Sequence, residues 1–103
     1  MSNVFASLPV DLQSEVIEDL VNHEGVRIER IISKGHTSPE NGWYDQDENE
    51  RVMVLQGSGT LTFQDGNEVR LFPGDYINIP AHAKHKVSGT DPMATTIWLA
   101  VFY

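Results

Sequence analysis

The sequence predicts an all-β domain, a barrel or sandwich of short strands, with one amphipathic helix ahead of it. Three observations predict this class. From residue 26 onward, β-branched and aromatic runs of four to nine residues alternate with turns rich in Gly, Asp and Asn. No helical period separates those runs, which argues against parallel βαβ units. The chain has 103 residues, 40% of them hydrophobic and 21% charged, enough for one core and too few for two.

The elements follow in order. Leu12, Val16, Ile17, Leu20 and Val21 recur at helical spacing with acidic residues between them. Pro9 suits a first helical turn, Asp11 and Glu15 favour its dipole, and Gly25 ends it. Residues 1–25 are therefore expected as a helical segment packed on a barrel of residues 26–103. Residues 26–31 alternate as a strand. Residues 51–56 (RVMVLQ) form the next, closed by Gly57-Ser58-Gly59, and residues 60–63 alternate again. Asp65-Gly66-Asn67 is a hairpin turn before residues 68–71, and Pro73-Gly74-Asp75 is another before 76–79. The last run, residues 95–103 (TTIWLAVFY), is apolar enough to be buried on both faces. Residues 36–50 are the one long irregular stretch, the kind of loop that carries function.

Composition excludes several classes. Fifteen acidic residues against seven basic give a net charge of −8, which repels nucleic acid phosphates and anionic membranes. The absence of Cys excludes disulfides and thiolate chemistry. No apolar run approaches the ~20 residues of a membrane span, and the first residues lack a secretory pattern, so a cytoplasmic protein is expected. No GxSxG elbow or GK[ST] phosphate loop occurs.

Two segments together resemble the cupin superfamily. Glu50 is followed by six residues and Gly57 (ERVMVLQG), as in the first cupin motif. Gly74, five residues, Pro80 and then His85 (GDYINIPAHAKH) match the second. The resemblance spans about residues 35–87 and implies a single-domain cupin jelly-roll β-barrel. Cupins place two histidines, two apart, ahead of the motif glutamate. Here those positions fall on Trp43 and Asp45, or on Tyr44 and Gln46, depending on the spacing taken. The glycine expected between the motif proline and histidine is His82.

The resemblance implies a divalent metal (Fe, Mn, Ni or Zn) held by Glu50 and His85. Strand alternation would bring Tyr44, Gln46 and Glu50 to one face, making Gln46 the third ligand. Asp45 joins only if a turn within residues 47–49 resets the phase. Tyr44, Glu50 and His82 are candidates for acid–base catalysis if they share the cavity. His36 opens the irregular loop as a further candidate. The expected activity is that of a metal-binding cupin acting on a small polar molecule, as an oxygenase, isomerase or lyase. The alternative is a metal-independent cupin that binds or senses a small molecule. A homodimer is also expected, with the helix or an edge strand near residues 26–32 in the contact.

Overall fold

The structure, a computed structural model, describes residues 2–38 and 42–103. Eight strands account for its regular structure: β1 (Val16–His23), β2 (Val26–Ser33), β3 (Glu50–Gln56), β4 (Gly59–Phe63), β5 (Glu68–Leu71), β6 (Tyr76–Ile79), β7 (His85–Thr90) and β8 (Thr96–Phe102). They form a five-stranded sheet in the order β1-β2-β8-β3-β6 and a three-stranded sheet in the order β5-β4-β7. All pairings are antiparallel. Part of the irregular stretch 36–50 lies outside the described residues.

The expected N-terminal helix is absent among the described residues, and residues 16–23 are the edge strand β1 instead. Val16 pairs with Ile32 and His23 with Val26 across a two-residue turn. Gly25, read as a helix stop, sits in that turn at φ +79°. The helical spacing survives because a bulge skips Leu20 in the pairing, so Val16, Ile17 and Val21 fit a ladder as readily as a helix. The backbone of β2 supplies a complete row of partners, and β-branched residues have little helical preference to set against it. The barrel therefore includes residues 16–23. The chain before β1 is held by Arg30, whose guanidinium donates to the carbonyls of Val4 and Ala6 and pairs with Glu18 at 2.9 Å.

Between the sheets, Val52, Val54, Leu61, Leu71, Ile79, Trp98, Ala100 and Phe102 form one core. β8 lies between β2 and β3, so it is buried nearly throughout and presents no free edge. β2 is likewise interior, which leaves β1 as the exposed edge on that side. In β3 the burial alternates, with Glu50, Val52 and Val54 inward and Arg51 outward. Glu50 thereby enters the barrel at its end, in line with two core valines. Gly57 ends β3 at φ +82°, where an added Cβ would collide with Thr96. No side chain fits there, which is the physical content of the first motif's glycine.

Candidate functional site

A cavity of about 160 Å³ opens at the end of the barrel where β3 begins. Its floor is Glu50 and His85, its inner wall Val52, Leu61, Ile79, Val87, Trp98 and Phe102, and its outer wall Tyr44 and Gln46. β1, β2 and the segment before them add Glu15, Ile17, Arg27, Glu29 and Ile31 on the mouth side.

Backbone bonds fix the floor. His85 starts β7, and Tyr44 bridges to it, each amide donating to the other's carbonyl at 2.7 and 3.2 Å. The His82 amide donates to the Gln46 carbonyl at 2.8 Å, and the Ala81 amide to Asn49 Oδ1 at 3.0 Å. The loop ahead of β3 is thus stitched to the turn ahead of β7, carrying Tyr44 and Gln46 into the cavity.

Glu50 and His85 are both buried, at 8% and 4% exposure. Glu50 Oε1 accepts from Gln46 Nε2 at 3.0 Å and lies 3.4 Å from His85 Nε2. His85 Nδ1 lies 2.8 Å from the Ala83 carbonyl oxygen, which can only accept, so Nδ1 carries the proton. In a neutral imidazole Nε2 would then aim a lone pair at the carboxylate. A second proton, making an imidazolium, removes that conflict. Burial pulls the His85 pKa down, but the Glu50 hydrogen bond, the Ala83 carbonyl and the Glu50 charge together outweigh it and leave it raised. Glu29 at the mouth is raised chiefly by burial, with Asp19 and Glu50 adding to the effect and Arg27 opposing it.

The sequence-predicted residues divide. Tyr44, Gln46, Glu50 and His85 come together at the cavity. His82 stays outside it, largely exposed, with Nδ1 at 2.8 Å from Asp45 Oδ1 and Nε2 at 3.4 Å from Asp47 Oδ1. Asp45 therefore turns away from the floor. His36 also stands apart, its Nδ1 accepting from the Lys34 amide. At His82 the backbone has φ +64°, the left-handed region that favours glycine. That explains the glycine expected at this motif position. Sequence reasoning missed Glu15, Arg27 and Glu29. The available signal was that residues 27, 29 and 31 share one strand face, which places two charges beside an inward Ile31.

The donors do not fit a metal as they stand. Gln46 turns its NH2 toward Glu50, and Glu50 Oε1 is already shared by Gln46 and His85. Among the described residues, no three His, Asp or Glu side chains converge on one point.

The family model described as Cupin domain matches residues 29–102. A Ralstonia eutropha JMP134 protein, provisionally described as a mannose-6-phosphate isomerase, is 40% identical, with TM-score 0.94, over 99% of this chain and 95% of that one. An RmlC-like cupin from Methanocaldococcus jannaschii shares 22% identity at TM-score 0.72, over 93% of this chain and 85% of its own. A cupin superfamily protein from Desulfitobacterium hafniense shares 19% at TM-score 0.76, over 92% and 82%. No curated protein is significantly similar to the chain.

Proposed function

The chain belongs to the cupin family, and on that premise we propose that it binds a small organic molecule in the barrel cavity and handles a proton at the His85–Glu50 pair. One observation carries the reading: Ala83 fixes the proton on His85 Nδ1, so Nε2 faces a buried carboxylate across 3.4 Å. Such a pair shares a proton that a ligand on the cavity floor can take or return. Tyr44, Trp98 and Phe102 supply apolar wall, and Gln46 orients Glu50. Thermal shift against a metabolite panel in the presence of EDTA tests the reading. Stabilisation by a hit is expected to fall in folded His85→Gln and Glu50→Gln variants. Undiminished stabilisation in both would place the ligand elsewhere.

A second reading, a divalent metal on the same floor, has its own supporting observation. Two donors each ~2.1 Å from one ion stand about 3.0–3.5 Å apart, and His85 Nε2 and Glu50 Oε1 are separated by 3.4 Å. The Nδ1 anchor on a carbonyl is also common for ligating histidines. Gln46 would have to turn its amide oxygen inward to complete the set, and Fe²⁺, Mn²⁺, Ni²⁺ or Zn²⁺ would be acceptable to it. Stoichiometric metal in protein purified without a His-tag, lost in Glu50→Ala and His85→Ala, would establish this reading. Metal content indifferent to both substitutions would remove it.

We also propose a symmetric dimer. β1 is an open edge, and Ile17, Leu20, Val21 and Val26 on the β1–β2 hairpin are exposed. Light scattering should give twice the 11.5 kDa chain mass. A single-chain mass at micromolar concentration would refute it.

A further inference from the structure

The lining of the cavity sets its charge as well as its size. At about 160 Å³ it matches the engineered ~150 Å³ cavity that holds one benzene, a body of about six non-hydrogen atoms. Its walls are mostly apolar, so charges at the floor and mouth act through a poorly polarisable medium and are felt strongly. Those charges are predominantly negative. Glu15, Glu29 and Glu50 line the space against Arg27 and His85. Each cation is already paired with an acid, so the three carboxylates outnumber the two cations and the lining is left net negative. Arg27 Nε pairs with Glu29 at 3.2 Å, its Nη1 pairs with Glu48 at 3.0 Å, and its guanidinium lies 4.1 Å from the centre of the Phe102 ring. His85 faces Glu50.

Resting on the reading of this cavity as the ligand site, we propose that it takes a small organic cation, an ammonium group on a compact apolar body, and rejects phosphorylated sugars. The ammonium group would sit toward Glu29 and Glu50, with the apolar body against Trp98, Leu61 and Val87. A phosphate would enter against three carboxylates with its best partner, Arg27, already engaged twice.

Isothermal titration in EDTA with 3-methylbutylammonium and its neutral isostere 3-methylbutan-1-ol tests the proposal, alongside mannose 6-phosphate and inorganic phosphate. The location is read from NMR shifts of the Trp98 indole and the Leu61 and Val87 methyls. The ammonium is expected to bind at least tenfold tighter than the alcohol, with an affinity that falls as salt rises, while both anions fail to bind. Glu29→Gln, at the half-open mouth, should weaken the ammonium about fivefold and leave the alcohol unchanged. Equal binding of ammonium and alcohol, or tighter binding of mannose 6-phosphate, with those shifts present, overturns the charge selection and leaves the cavity reading standing. No binding of any probe, with those resonances unmoved, overturns both.

Discussion

Two histidines three residues apart each face a carboxylate, and their surroundings set them to different work. His82 lies on the rim, 2.8 Å from Asp45 and 3.4 Å from Asp47, with all three side chains exposed. His85 lies on the cavity floor, 3.4 Å from Glu50, with both side chains nearly sealed. The rim pair is the shorter, yet solvent and salt screen it, so its net worth is small. The floor pair is longer but desolvated, so losing either partner strands a charge or a lone pair. Distance alone would rank the pairs wrongly. Burial ranks them.

The largest expected effect comes from breaking the floor pair. His85→Leu should cost about 3 kcal/mol in urea denaturation at neutral pH, because Glu50 then remains buried with Gln46 alone. The His85→Leu/Glu50→Leu double variant should recover part of that loss, since no carboxylate is left unpaired. A double variant whose cost equals the sum of the two single changes would show that the two groups do not act as a pair.

How far the sequence carried this comparison depends on what sets each residue's direction. Glu50 and His85 were legible because two motifs fix their positions relative to Gly57 and Pro80, and strand alternation then aims Glu50 inward. β8 was legible because a run such as TTIWLAVF has no polar face to expose. β1 was not. A bulge at Leu20 lets one apolar spacing serve a helix or a strand, and only the β2 backbone decides between them. The separation of His82 from His85 was also hidden. It follows from a left-handed residue in the turn, a backbone property that a histidine in the sequence conceals. The acidic mouth had no motif, because it is assembled from the N-terminal segment and β2 by tertiary pairing.

The next effect is on pH dependence. Since the His85 pKa is raised in the folded state, the native protein holds this proton more tightly than the unfolded chain does. The contribution is fully present below the unfolded value of about 6.5 and is lost as pH rises through the folded value. Wild type should therefore lose stability relative to His85→Gln as pH rises across that window. Glu29 has the same sign, because its carboxyl is also raised, but its loss begins at more acid pH, above the unfolded carboxyl value. Comparison with Glu29→Gln separates the two. A wild-type advantage that grows between neutral and alkaline pH would contradict the assignment to His85.

A smaller effect should come from the rim backbone. His82→Gly removes a left-handed non-glycine residue, relieving about 1 kcal/mol, and gives up a screened contact with Asp45 worth less. A net gain of several tenths of a kcal/mol is expected. His82→Ala keeps the backbone strain and loses the contact, so it should lie below wild type. If glycine and alanine are equally destabilising, the strain at this position is not what the turn geometry implies.

The smallest expected effect distinguishes the two acids on the rim. Asp47 is almost fully exposed, and its oxygen stands 3.4 Å from His82 Nε2, beyond a good hydrogen bond. Asp45 is closer to His82 Nδ1, at 2.8 Å, and less exposed. Asp47→Asn should change stability by no more than about 0.3 kcal/mol, within the range of exposed pairs. Asp45→Asn should cost more, because it weakens the shorter of the two carboxylate contacts to His82. That ordering should shrink as salt is raised, since screening acts on both acids. An Asp47 effect equal to that of Asp45 at low salt would mean that long-range charge, and not the short contact, holds the rim, and the contrast with the sealed floor would then be wider still.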